Sequence, residues 1–143
     1  MNRKSLYPLV AILIIFGIYF AWPKSQKDIV IPGKKAGGAI VSVILPDTFS
    51  DSAKIGKSAF EAKCANCHGV DAVGKFGIAP PLIHIIYEPS HHGDEAFQRA
   101  TAIGVQAHHW PFGNMPPIES ITRGEVKTII TYIRELQRTN GIN

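Results

Sequence analysis

The chain has 143 residues, 45% hydrophobic and 18% charged, a globular composition with room for one small domain and its attachments. Its net charge of +4 is lopsided: residues 1–45 hold six basic side chains against Asp28, net +5, while residues 46–143 hold nine basic and ten acidic ones, net −1. A slightly acidic globular part argues against nucleic-acid binding and leaves the basicity to an N-terminal stretch that can meet anionic lipid headgroups.

The first element in chain order is Leu6–Trp22, which carries no charged side chain. As a helix it spans roughly 25 Å at about 1.5 Å per residue, close to a hydrocarbon thickness of about 30 Å. Arg3 and Lys4 precede it, Pro8 falls in the first turn, where a missing N–H costs little, and Pro23 ends it. An uncleaved anchor competes with a cleaved signal peptide and with a buried core helix. A cut after Ala21 puts bulky Tyr19 where a signal peptidase wants a small residue, whereas Tyr19 and Trp22 suit a membrane interface. The N-terminal position and flanking charges disfavour a core helix. A single transmembrane helix within residues 1–22 is therefore expected. Its orientation carries a conflict. Lys24, Lys27, Lys34 and Lys35 follow it, and a count of flanking positives would leave the C-terminal side in the cytoplasm.

Residues 23–46 read as a linker, with turn chemistry at Pro32-Gly33 and Gly37-Gly38. Within it, Ile40–Leu45 is apolar and rich in β-branched residues, which fits a short strand or an arm packed on the domain. The globular domain is expected over 47–143. Ser50 or Asp51 caps a first helix to about Lys63, with Ala53, Gly56, Ala59 and Phe60 on one face. Residues 69–81, with their glycines and prolines, read as loop. Asp94 starts a second helix ending near Gly104, with Ala96, Phe97, Ala100 and Ile103 inward. Residues 111–117 are again loop. Thr122-x-x-Glu125 is a capping box that opens a last helix over about 122–138. Val126, Ile129, Ile130, Ile133 and Leu136 form its apolar stripe, with Lys127, Arg134, Glu135 and Arg138 outward. Strand signals are almost absent, so the fold class is all-α.

Between the first helix and the first loop stands Cys64-Ala-Asn-Cys67-His68. Two thiols at this spacing followed at once by an imidazole is the pattern that attaches haem covalently: the thiols add across the porphyrin vinyl groups and the histidine reaches the iron. A redox dithiol would want a surrounding βαβ pattern, and a zinc site two more ligands at close spacing. Neither is found. Covalent attachment of this kind is done outside the bacterial cytoplasm, so the chemistry outweighs the charge count and places the domain on the outer side of the membrane. A domain this small gains much of its core from a buried haem. The iron wants a sixth ligand or an open site. Met115, one of only two methionines, stands in a loop before Pro116 and Pro117, where stiff backbone can hold its thioether. The competing role for Met115 is gap filling.

With these pieces in order along the chain, residues 47–143 resemble a class I monohaem cytochrome c, and residues 1–22 make the chain similar to the membrane-anchored bacterial members. The matching pieces are Gly56-x-x-x-Phe60, Cys64-x-x-Cys67-His68, Ala79-Pro80-Pro81-Leu82, Met115-Pro116-Pro117 and Ile129-x-x-Tyr132. The resemblance implies one covalent haem c and its iron, wrapped by a small helical domain. It implies that Gly56 lets the first and last helices cross closely, with Phe60 and Tyr132 packed at the crossing. It implies that the Pro80 carbonyl bonds the haem-ligating His68, and that Met115 is the distal ligand. His84, His91, His92, His108 and His109 depart from the pattern. Paired histidines can bind metal or displace a methionine; the plainer role is hydrogen bonding at the surface or to the haem propionates. Trp110 fits either a propionate donor or core packing.

The function these features imply is one-electron transfer, without catalysis, at a cell membrane. Redox partners such as a quinol-oxidising complex, a terminal oxidase or a dehydrogenase are expected. The competing readings are a haem subunit of a larger oxidoreductase and, more distantly, a haem peroxidase or gas sensor, which needs an open distal site.

Overall fold

A computed structural model describes residues 35–143 together with Phe16. The expected anchor within 1–22, its cleavage and its orientation otherwise lie outside the described residues. Among those described, no helix is long and apolar enough to cross a membrane.

Within residues 35–143 four helices carry the fold: α1 (Asp51–Lys63), α2 (Ala65–His68), α3 (Asp94–Ile103) and α4 (Arg123–Thr139). Short 3₁₀ turns at Val70–Ala72 and Ile85–Tyr87 join them, and no strand occurs among the described residues, only isolated bridges. Both long helices start where their caps place them. Ser50 Oγ accepts from the Ala53 amide at 3.2 Å. Thr122 Oγ1 accepts from Glu125 N at 3.2 Å while Glu125 Oε2 accepts from Thr122 N at 2.8 Å, a complete capping box.

The core is the crossing of α1 and α4. Ala53 and Phe60 of α1 and Tyr132, Ile133 and Leu136 of α4 are fully buried there. The helices approach so closely at Gly56 that a Cβ on this residue would collide with the Thr128 carbonyl. Glycine alone permits that contact. One turn on, the Phe60 and Tyr132 rings meet at 5.7 Å, and Phe49 also packs on Tyr132 at 5.3 Å. Tyr132 carries its polar end into the core but satisfies it: its hydroxyl donates to Asp71 Oδ1 at 2.9 Å. Burial, then the Asp71 carboxylate, pushes the phenol well above its usual range.

The apolar run at 40–45 is an arm rather than a strand. Ile40 and Val41 amides both donate to the Val73 carbonyl, and the Asn140 side chain brackets Ile44 with two bonds of 2.8 Å. Val43 packs on the core. The segment therefore belongs physically to the domain, although it precedes residue 47.

Two sequence expectations require correction. Arg134 is not outward: it is 7% exposed. Its guanidinium donates to Asp94 Oδ1 at 3.0 Å, the Tyr87 carbonyl at 2.7 Å, Gln137 Oε1 at 2.6 Å and the His92 carbonyl at 2.6 Å. Five donors in a rigid fork let one side chain satisfy an irregular loop's carbonyls, which a helix cannot otherwise reach. Arg134 thereby ties α4 to α3 and to the 84–93 loop that precedes α3. The second correction concerns α3. Its buried residue is Gln98, which donates to the Arg123 carbonyl at 3.1 Å, while Ile103 at the end of the expected inward stripe is 75% exposed.

Candidate haem site

The open end of the α3 stripe at Ile103 has an explanation. Ala96, Phe97, Ala100 and Ile103 face a cavity of about 540 Å³, the size range of cofactor sites. Apolar side chains have been lined up along an open space, not along another helix.

One wall of that space is built from α1's end. Cys64 caps α1 and starts α2, and Cys67 and His68 follow on the single turn of α2. The short turn from Cys64 through α2 brings the first thiol, second thiol and imidazole together to the lining of the cavity. The two thiols are free. Burial, then the neighbouring Cys67, pushes the Cys64 thiol up to about 11. His68 is fixed by its other nitrogen: Nδ1 lies 2.8 Å from the Pro80 carbonyl oxygen. A carbonyl only accepts, so Nδ1 carries the proton and Nε2 keeps its lone pair. Burial holds this imidazole below its ordinary pKa, with the Pro80 bond opposing, so the neutral form persists.

Met115 belongs to a second wall. It exchanges both backbone bonds with Val105, at 2.9 and 3.0 Å, and the Ala107 amide donates to Asn114 Oδ1. Gly104, at φ +79, lies so near the Met115 carbonyl that a side chain there would strike it. The methionine loop is thus pinned at its base to the end of α3. Trp110 completes the pocket, stacked on Phe112 at 5.7 Å and edge-on to His84 at 5.1 Å. Its indole N–H is the one buried side-chain polar atom, among the described residues, without a hydrogen-bond partner. It lies near enough to Tyr87 to favour the phenolate slightly, but burial dominates and pushes that phenol up to about 12.

Cys64, Cys67, His68, Pro80 and Met115, separated by up to about a third of the chain, therefore line one cavity. So do His92, His108 and His109. Sequence alone gave no reason to bring His92 to the cavity with the other two, because the irregular 84–93 segment that carries it has no periodicity to read.

The family model for cytochrome c matches residues 53–137. The chain belongs to the cytochrome c family, a small and mostly helical domain that carries electrons with a covalently bound c-type haem and its iron. No curated protein matches the chain. The residues present fit that cofactor. An apolar helix face borders an open cavity, two free thiols and a nitrogen lone pair share one wall, and a buried indole N–H awaits an acceptor such as a propionate.

Proposed function

We propose that this protein is a non-enzymatic one-electron carrier whose haem is held by Cys64 and Cys67 and ligated by His68 and Met115. When bound, the group supplies an iron that takes up and gives back one electron. The chain supplies everything else. Cys64 and Cys67 fix the ring through thioethers. The Pro80 carbonyl orients His68 and strengthens it as a donor. Met115 brings a soft ligand that favours the reduced metal and raises the potential. The single observation that carries this reading is the pinning of Met115 to Val105 on the cavity that His68 also lines. A thioether held by two backbone bonds and followed by two prolines stays in place, so little rearranges when an electron moves.

Residues 1–22 would tether the domain to the cell membrane, with the haem facing the periplasm or outer surface. Tethering raises the local concentration of the domain near membrane partners. A quinol-oxidising complex, a terminal oxidase or a periplasmic dehydrogenase is the class of partner in view, whether the domain shuttles freely or serves as a subunit of one of them. A second reading, an enzyme or gas sensor, has one observation in its favour: His92, His108 and His109 also line the cavity.

Met115→Ala separates the two readings. In the wild type the oxidised protein should show the weak sulfur-to-iron charge-transfer band, and the reduced protein should bind carbon monoxide poorly. The variant should lose the band, fall in potential and accept carbon monoxide. A wild type that binds carbon monoxide at once and lacks the band contradicts the carrier reading.

A further inference from the structure

Four of the six histidines converge on one rim of the molecule, although His91-His92 and His108-His109 are far apart in sequence. The rings of His91 and His109 lie 5.3 Å apart between centroids, those of His92 and His109 5.2 Å, and those of His108 and His109 4.3 Å. More telling are the nitrogens. His91 Nε2 and His109 Nε2 are 3.4 Å apart, and one ligand nitrogen each from His91, His92 and His109 fall within 4.8 Å of one another. Two nitrogens bound to one tetrahedral ion at about 2.0–2.1 Å sit roughly 3.3 Å apart. The His91–His109 separation is already that of two ligands on one metal.

The third histidine is prepared for the same task. His92 Nδ1 lies 2.6 Å from the Ile86 carbonyl, which makes Nδ1 the protonated nitrogen and leaves Nε2 as a lone pair. Outer bonds of this kind orient metal-ligating imidazoles. The loop that holds His92 is itself fixed, because Arg134 donates to the His92 carbonyl. His91 and His109 are exposed, so an ion has a way in. Their ring nitrogens bond each other and, among the described residues, no carboxylate or carbonyl.

We propose that His91, His92 and His109 form a binding site for one divalent late transition-metal ion, zinc or copper(II), distinct from the haem iron. Three neutral imidazoles suit these ions, whereas calcium and magnesium want oxygen ligands and copper(I) wants sulfur. Three protein ligands leave a fourth position open, the pattern of an exchangeable site rather than a closed structural one. His92 and His109 also line the haem cavity, so the ion sits on the rim of the redox centre. The inference stands on the histidine geometry and does not depend on the carrier reading.

The test is a calorimetric titration of the untagged holoprotein with zinc chloride, followed by zinc-edge X-ray absorption. One zinc per chain is expected, with imidazole nitrogens at about 2.0–2.1 Å. His91→Gln and His109→Gln should each weaken binding at least about tenfold, while Glu119→Gln, an exposed position outside the cluster, should leave it unchanged. Both cluster positions are exposed, and unchanged haem absorption and circular dichroism would show that the variants fold. Absence of zinc binding, an isotherm untouched by the cluster variants, or an equal loss in Glu119→Gln would overturn the proposal.

Discussion

The α1–α4 crossing and the α3–methionine-loop region are built on opposite plans. The crossing is closed by protein alone: Gly56 removes a side chain to let backbones touch, and Phe60 and Tyr132 fill the contact with no exposed surface. The other region turns its apolar side chains toward open space. Ile103 is 75% exposed, Phe97 is half-buried, and Trp110 buries an N–H that lies near the Tyr87 hydroxyl but outside hydrogen-bond geometry. In a chain this small, one region of the core is packed by side chains and the other is left for the haem to pack. Cofactor and fold are then one problem: Cys64 and His68 stand where the closed region ends and the open one begins.

The strongest way to break this comparison is to prevent attachment. Cys64→Ala should sharply reduce mature holoprotein. In whatever chain remains, amide hydrogen exchange should rise most in α3 and residues 105–118, and least at the α1–α4 crossing. Uniform exchange across both regions would mean that the division is false. Next in size is Gly56→Ala, which forces a methyl group against the Thr128 carbonyl. It should cost about 3 kcal/mol of stability in denaturant unfolding, with the haem spectrum of the folded fraction unchanged. Smaller again is Arg134→Ala, which leaves the Tyr87 and His92 carbonyls without their guanidinium partner. A loss of about 2 kcal/mol is expected, with faster exchange confined to the 84–93 loop. If α4 itself loosens, Arg134 braces the helix rather than the loop.

The two regions were also unequally legible in the sequence. The two helices of the crossing could be read because periodicity and the Thr122–Glu125 capping box act locally or along one helix face, whereas their close approach at Gly56 followed from the resemblance to cytochromes c. The pentapeptide at 64–68 could be read because its chemistry is contained in five consecutive residues. Periodicity failed at Arg134, since it sends charges to solvent and has no knowledge of a loop whose carbonyls need a donor. It half failed at α3. The inward stripe was there, but it faces a cavity rather than another helix, so its last residue lies open. The histidine pairs were visible, but their meeting depends on two irregular segments, 84–93 and 105–110, whose paths follow no periodic rule.

The most direct measurement of the central claim is where the haem resides after the fold is destroyed. The mature protein should be denatured, extracted with acidified acetone and digested, and its peptides weighed. The expected result is haem retained on the one peptide that contains Cys64 and Cys67, with none in the extract. Haem extracted freely, with both thiols left unmodified, would contradict covalent attachment and with it the account of how this domain completes its core.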